Sequence, residues 1–105
     1  EVQGRTCIIQ DDIVDTAGTL TRSAEALRDE GAACVFGCAV HGVLSGPALE
    51  RINNSALEKL VVTNTIPPRS AIVESGKVEI LSVAPLLGKA IESIHQETSV
   101  SSLFV

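Results

Sequence analysis

Several features are missing from this 105-residue chain, and each absence excludes a class of protein. No stretch of 18 apolar residues occurs and no signal-like segment opens the chain, so the sequence predicts no membrane partner. The eight Lys and Arg form no cluster against thirteen Asp and Glu, which argues against binding to nucleic acid. Methionine is absent and the chain begins at Glu1, so we expect a domain or fragment of a longer protein, or a processed chain.

Cysteine is also scarce, and three residues without a regular spacing indicate a reducing compartment. We therefore expect a soluble cytoplasmic protein, with an organelle form left open. The chain is 45% hydrophobic, which is enough apolar content for a single domain over residues 1–105. Its net charge of −5 offers no attraction to an anion, so a phosphate ligand would depend on local amide dipoles and metal.

Apolar residues alternate between strand and helix periodicity along the chain. The pattern predicts strands at residues 6–10, 33–40, 60–63 and 78–82, and helices at residues 19–30, 47–54 and 85–96. Residues 67–70 are expected to form a turn or loop. Short links between strands and helices predict an α/β fold, with a mostly parallel sheet and helices on both faces. The last helix is expected to bury Leu86, Leu87, Ala90, Ile91 and Ile94.

Residues 8–20, IIQDDIVDTAGTL, are the most informative segment. Asp11 and Asp12 close an apolar strand, and their ionised carboxylates suit sugar hydroxyls or Mg²⁺. A short turn then enters a helix, where backbone N–H groups form a concave site for a phosphate dianion. Small residues in the turn let the backbone approach the ligand, and hydroxyls can add donors. This turn, called the phosphate loop here, consists of Asp15, Thr16, Ala17, Gly18 and Thr19.

Phosphate at one end and a diol at the other describe a ribose 5-phosphate. The alternative is structural: a solvated Asp-Asp strand end followed by an ordinary helix cap. The position favours the ligand, because open α/β sheets bind ligands outside the carboxyl ends of their strands.

The same segment resembles the phosphoribosyl-binding loop of the type I phosphoribosyltransferase fold. Four further segments resemble the C-terminal domain of phosphoribosyl pyrophosphate synthetases (ribose-phosphate diphosphokinases): VHGVLSGPA at 40–48, RINNS at 51–55, VVTNTIP at 61–67 and SVSSLF at 99–104. Gln10 is a departure, since the family usually has an apolar residue there. The resemblance implies that residues 1–105 are the C-terminal half of a longer synthetase whose N-terminal half is absent.

The resemblance also implies an activity, the transfer of the diphosphoryl group of ATP to O1 of ribose 5-phosphate, with Mg²⁺. Asp11 and Asp12 would hold the ribose hydroxyls and help Mg²⁺, while residues 15–19 would wrap the 5-phosphate, with the Asp15 carboxylate capping the turn. In the family the ATP site and the basic catalytic loop lie upstream. We therefore expect no catalytic residue here and an inactive isolated fragment. The resemblance also implies that the whole protein is a homo-oligomer.

The resemblance also implies a regulatory role for the C-terminal tail, residues 99–104. In the family, the residues matching Ser99, Val100, Ser101 and Phe104 belong to an inhibitory site for a nucleotide diphosphate such as ADP, formed between subunits. The alternative is an ordinary terminal strand or coil.

Two other functions stay open at this point. A phosphoribosyltransferase would use the same loop to bind phosphoribosyl pyrophosphate, although the later segments argue against it. A non-catalytic, synthetase-associated regulatory subunit is the other, and the intact phosphate loop argues against that one. Most Lys and Arg on the predicted helices are expected on solvated faces. His41 is expected either near a ligand or a domain contact, or in a structural hydrogen bond.

Overall fold

A computed structural model describes residues 1–104, with Val105 and the side chain of Phe104 outside the described part. Strands and helices alternate along the chain. In order they are β1 Thr6–Val14, α1 Gly18–Asp29, β2 Cys34–Gly42, α2 Ala48–Asn53, β3 Leu57–Thr63, α3 Ser70–Val73, β4 Val78–Leu81, α4 Ala84–His95 and a 3₁₀ helix Ser101–Phe104. None of the helices within residues 1–104 is long and apolar enough to cross a membrane.

The four strands form one sheet in the order β1-β2-β3-β4, and every neighbouring pair is parallel. Ile8 pairs with Phe36 between β1 and β2, and Leu60 pairs with Val78 between β3 and β4. The register between β2 and β3 shifts once, at Val35 and Phe36. The predicted α/β fold with a parallel sheet is confirmed.

The core lies on one face of this sheet. Buried side chains of α1, α2 and α3, such as Leu20, Ile52 and Ile72, pack with buried strand residues such as Val35 and Leu60. Right-handed crossovers between strands in sequential order place their connecting helices on the same side. The described residues therefore show one helical layer where the sequence pattern predicted two.

The opposite face of the sheet is exposed within residues 1–104. Ile8 is 69% exposed and Leu81 is 55% exposed, although both are strand residues with large apolar side chains. The last helix, α4, contains no buried residue, and Leu87 and Ile91 are among its exposed side chains. The prediction that this helix buries its apolar face is therefore wrong for the described residues, because contact with the 3₁₀ helix leaves every residue of α4 at least partly exposed.

The structure differs from the predicted elements at two places near the site. β1 continues to Val14, four residues beyond its predicted end, so Asp11 and Asp12 lie inside the strand and do not follow it. A short helix, α3, begins at Ser70, where only a turn or loop was predicted. Its single turn is too short for a periodic apolar pattern to predict.

Candidate functional site at the carboxyl edge of the sheet

The phosphate loop joins β1 to α1 through one residue with a left-handed backbone. Val14, the last residue of β1, is buried, and Ala17 is the N-cap residue of α1 with φ 65° and ψ 13°. Ala17 is itself buried, so this strained conformation is fixed by packing. The first helical residue is Gly18.

No side chain caps the N-terminus of α1 in the part of the chain that the structure describes. The first turn of this helix contains no acidic residue either. The first N–H groups of a helix have no partner within it, and the helix dipole adds positive potential at this end. This N-terminus can therefore donate to an anion, and the phosphate expected there stays a prediction.

A cavity of about 240 Å³ opens beside these donors. It is lined by residues from the end of β1, the phosphate loop and the start of α1: Asp11, Ile13, Val14, Asp15, Thr16, Ala17, Gly18, Thr19 and Leu20. All five residues of the phosphate loop therefore border one concave site. Thr16 and Thr19 are exposed there, so their hydroxyls are accessible to a ligand.

The two adjacent carboxylates are placed differently. Asp11 lines the cavity, whereas Asp12 is outside its lining. Successive side chains of a strand point to opposite faces of a sheet, so two neighbours within β1 cannot both point toward the phosphate loop. One Asp11 carboxylate oxygen also accepts the backbone N–H of Asp12 at 2.7 Å. Of the two predicted ligands for the diol and Mg²⁺, the structure brings Asp11 to the loop.

The loop after β2 holds the phosphate loop from one side. The backbone N–H groups of Val43 and Leu44 donate to the Val14 carbonyl at 2.9 and 3.2 Å, and the N–H of Ser45 donates to the Asp15 carbonyl at 3.0 Å. The Ser45 hydroxyl also donates to the Asp15 carboxylate. Asp15 was expected to cap the turn; its carboxylate instead accepts from Ser45 and thereby joins two loops.

Two arginines donate to backbone carbonyls at this edge of the sheet. Arg51, in the last turn of α2, donates from Nη1 to the Thr16 carbonyl at 3.1 Å. Arg69, just before α3, donates to the carbonyl of Leu44. Leu44 is a second buried residue with a left-handed backbone, at φ 52°. Each arginine thus bonds to a loop that contains a strained backbone residue.

His41 lies in β2, near the carboxyl edge of the sheet, and is half-buried. Its Nδ1 lies 2.7 Å from the hydroxyl oxygen of Thr65, and His41 also pairs with Asn64 in an isolated bridge. The Thr63 hydroxyl donates to the Val40 carbonyl at 2.5 Å. These contacts support the structural reading of His41, as a side chain that ties the end of β2 to the chain after β3.

The predicted regulatory residues form a local structure of their own. The hydroxyl oxygens of Ser99 and Ser101 are 2.7 Å apart, and Ser102 donates to the Ser99 carbonyl at 3.0 Å. The tail ends in a 3₁₀ helix and not in a strand. Val100 is half-buried, and the side chain of Phe104 lies outside the described residues. The nucleotide site expected here stays a prediction.

Sequence reasoning missed Ser45, Arg51 and Arg69 as parts of this site. Arg51 was expected on the solvated face of a helix and is indeed exposed, but its Nη1 also donates to the phosphate loop; Arg69 lies in the predicted turn or loop. A signal for Ser45 was available: it follows β2, and the carboxyl ends of neighbouring parallel strands meet at one edge of the sheet. No comparable signal pairs Arg51 with Thr16, which are 35 residues apart.

The whole chain, residues 1–105, matches the phosphoribosyl synthetase-associated domain. The protein belongs to that family. A ribose-phosphate pyrophosphokinase from Listeria ivanovii is 58% identical to this family member over 104 residues, which cover 98% of this chain and 32% of the relative. A ribose-phosphate pyrophosphokinase from Aquifex aeolicus is 51% identical over 104 residues, covering 99% of this chain and 33% of the relative.

A solved structure of a protein with a related name is also similar to this chain. The crystal structure of phosphoribosylpyrophosphate synthetase from Mycobacterium smegmatis is similar at a TM-score of 0.86 and 38% sequence identity, over 91% of this chain and 32% of that one. This family member therefore spans about a third of the length of the relatives that it matches.

Proposed function

We propose that residues 1–105 are the C-terminal part of a ribose-phosphate diphosphokinase, and that the phosphate loop binds the 5-phosphate of ribose 5-phosphate. The observation that carries this proposal is the uncapped N-terminus of α1 beside a cavity that all five loop residues line. The relatives, which are named for this activity, support it. The whole protein would then be a transferase of nucleotide biosynthesis, with ATP as the diphosphoryl donor.

In this proposal the chain binds and orients the acceptor sugar. The first N–H groups of α1 and the hydroxyls of Thr16 and Thr19 donate to phosphate oxygens. Each such charge-assisted bond contributes about 1.5–3 kcal/mol before desolvation and ordering are subtracted. The Asp11 carboxylate on the cavity wall accepts from a ribose hydroxyl, and Asp12, its neighbour in β1, contributes less because it lies outside the cavity lining. Bound in this way, the sugar has its phosphate fixed at one end and its diol at the other.

Mg²⁺ fits the donor set at this cavity. Proteins usually hold Mg²⁺ through one or two carboxylates, with substrate oxygens and water completing its shell. Asp11 supplies one such carboxylate on the cavity wall, and Asp12 is its neighbour in β1. Within residues 1–104, no three His, Cys, Asp or Glu side chains form a cluster that could hold a metal by themselves. When bound, Mg²⁺ would neutralise charge on the transferred phosphoryl oxygens.

Catalysis requires more than this chain supplies. Diphosphoryl transfer develops negative charge on many oxygens, and cationic groups and metal stabilise that charge. The two guanidinium groups beside the loop, Arg22 and Arg51, are directed at the Gly18 side of it. We therefore place the ATP site and the catalytic cations in the part of the whole protein that this chain lacks. A homo-oligomer and an ADP site that includes the tail belong to the same proposal.

A two-part assay tests this function. The purified 105-residue chain should bind ribose 5-phosphate weakly by calorimetric titration, and should form no phosphoribosyl pyrophosphate from ATP and Mg²⁺. Binding without turnover is the expected result. Turnover by the chain alone would contradict the proposal that the catalytic groups lie in the part of the whole protein that this chain lacks. The absence of ribose 5-phosphate binding would contradict the proposed phosphate site.

The synthetase-associated description of the matching family keeps one alternative open, a regulatory subunit without catalytic function. The complete phosphate loop argues against it, because a non-catalytic subunit has no need to retain the donors for a sugar phosphate. Restoring the remaining two thirds of the polypeptide separates the two cases. A catalytic protein should then form phosphoribosyl pyrophosphate by itself, whereas a regulatory subunit should change only the activity of another synthetase.

A further inference from the structure

One side chain outside the cavity contacts the phosphate loop from behind. Arg51 donates from Nη1 to the Thr16 carbonyl at 3.1 Å. A Cβ atom built on Gly18 would lie 3.0 Å from the same Nη1. The guanidinium therefore lies against the residues on both sides of Ala17, the buried loop residue with φ 65°.

This contact fixes more than one backbone atom. The peptide bond between Thr16 and Ala17 is planar and trans, so its C=O and N–H point in opposite directions. A donor that holds the Thr16 carbonyl on one side consequently fixes where the Ala17 N–H points on the other. Thr16 and Ala17 both line the cavity, so the peptide that Arg51 holds belongs to the wall of the proposed phosphate site.

Arg51 is separate from that wall. It lines a neighbouring groove, together with Gly18, Arg22 and Asn54, and is not among the residues that border the phosphate cavity. The geometry therefore does not place Arg51 in direct contact with a 5-phosphate bound in that cavity. The contact it does make is with the backbone that the phosphate would meet.

The strained backbone of Ala17 gives a physical reason for the bond between Arg51 and the Thr16 carbonyl. A non-glycine residue in a left-handed conformation is less stable than the same residue in a helix or strand, so it persists only when its surroundings fix it. The surroundings of Ala17 include the Thr21 hydroxyl, which donates to the Ala17 carbonyl at 2.7 Å, and the Arg51 bond one peptide earlier. The two bonds hold the peptides on either side of the strained residue.

We propose that Arg51 is a positioning residue, which holds the phosphate loop in its anion-binding conformation through the Thr16 carbonyl. This proposal rests on the proposed binding of ribose 5-phosphate at that loop. The side chain acts before the ligand arrives, so the phosphate meets donors that are already oriented. The energy of ordering the loop is then not subtracted from the binding energy.

Arg22 supplies a matched control. Its Nη1 would lie 3.6 Å from a Cβ built on Gly18, so its charge is close to that of Arg51. Within residues 1–104, no hydrogen bond joins Arg22 to the loop backbone. Replacing either arginine by methionine removes one positive charge beside Gly18, but only Arg51→Met removes a bond to Thr16. Arg51→Lys keeps the charge and one donor without the planar fork.

The experiment compares the 105-residue chain with Arg51→Met, Arg51→Lys and Arg22→Met. Each protein is titrated with ribose 5-phosphate and, separately, with inorganic phosphate, after circular dichroism has established that it folds. Arg51→Met should weaken the binding of both ligands about tenfold, the effect of losing one hydrogen bond to a preorganised loop. Arg22→Met should weaken it less than about twofold, as expected of an exposed charge. Arg51→Lys should recover part of the loss.

Amide NMR spectra without ligand provide the second readout. The Ala17 and Gly18 amide resonances should shift in Arg51→Met and stay near their parent positions in Arg22→Met, because only the first variant frees the Thr16–Ala17 peptide. Equal losses of affinity in both methionine variants, with unchanged amides, would show a simple charge effect and overturn the positioning role. So would parent-like binding by Arg51→Met. A parent chain that binds neither ligand overturns the proposed function itself, while the ligand-free spectra still decide whether Arg51 orders the loop.

Discussion

The phosphate loop and the C-terminal segment, residues 84–104, are stabilised in different ways. The loop is bonded to distant parts of the chain: Asp15 to Ser45 across 30 residues, and Thr16 to Arg51 across 35. In the C-terminal segment, side-chain hydrogen bonds span two, three and five residues. Its helix, α4, has no buried residue.

The difference shows which parts of the proposed enzyme this chain can build by itself. The sheet, α1 and α2 pack against one another and fix the proposed sugar-phosphate site at the carboxyl edge of the sheet. Over residues 84–104, in contrast, the 3₁₀ helix of the tail contacts α4, and no residue of α4 is buried. A site that depends on the tail would need a surface outside residues 1–104, whereas the phosphate loop has its supports within them.

The largest effect expected from this comparison is on stability. Leu60 is completely buried between the sheet and the helices, so Leu60→Ala should lower the free energy of unfolding by about 2–5 kcal/mol. Leu87 in α4 is 56% exposed, and Leu87→Ala should change it by less than about 0.5 kcal/mol. Urea unfolding followed by circular dichroism measures both. A large loss in Leu87→Ala would show that α4 docks onto the rest of the chain in solution.

The next effect is on ligand binding. Gly18→Val would place a branched side chain against Arg51 and Arg22 at the start of α1, where the backbone meets the cavity. Binding of ribose 5-phosphate should weaken by roughly 2 kcal/mol or more, about thirtyfold, the contribution of one or two charge-assisted bonds. Calorimetric titration measures the change, with retained circular dichroism as evidence of folding.

Gly76→Val is the control for this substitution. A Cβ at Gly76 has no neighbour within 4 Å among the described residues, so the same change there should leave ribose 5-phosphate binding intact. Parent-like binding by Gly18→Val would exclude this loop as the phosphate site, and the main functional proposal would be wrong.

A smaller effect separates the two adjacent carboxylates. Asp11 lines the cavity and Asp12 does not, so Asp11→Asn should weaken ribose 5-phosphate binding more than Asp12→Asn does. An amide cannot hold Mg²⁺ with the charge of a carboxylate, and the loss for Asp11→Asn should be about tenfold in the presence of Mg²⁺. Both variants should bind inorganic phosphate as the parent does.

Titrations with and without Mg²⁺ are the measurement. Equal losses for the sugar phosphate and for inorganic phosphate would indicate a collapsed loop, and a larger loss in Asp12→Asn would show that the diol approaches the other face of β1.

Much of this site was predictable from sequence because its main signal is local. Strand, turn and helix follow one another within residues 8–20, and their order places Ala17 and Gly18 at a helix N-terminus. The prediction was less accurate where an interaction depends on distant residues. The acceptor for the Ser45 hydroxyl, and the donor to the Thr16 carbonyl, are decided by how β2 and α2 pack against the loop.

The fold was predictable to a similar extent. Apolar periodicity correctly gave a parallel sheet, since both faces of β2 carry apolar residues. It could not show which face the described helices cover. The periodicity of Leu87, Ile91 and Ile94 is that of a buried helix, yet all three are exposed here. An amphipathic pattern predicts that a face is to be covered, but the pattern does not identify the partner.

The smallest effects come from a pair of serines, one in each region. The Ser45 hydroxyl donates to the Asp15 carboxylate and joins the loops after β1 and β2, so Ser45→Ala should lower the free energy of unfolding by about 1 kcal/mol. Ser101 is exposed, and its hydroxyl contacts the neighbouring Ser99, so Ser101→Ala should change it by less than about 0.5 kcal/mol. Urea unfolding and ribose 5-phosphate titration of both variants measure the contrast. If Ser101→Ala weakened sugar-phosphate binding in the 105-residue chain, the tail would contribute to the site without any other subunit, and the separation of the two regions would be wrong.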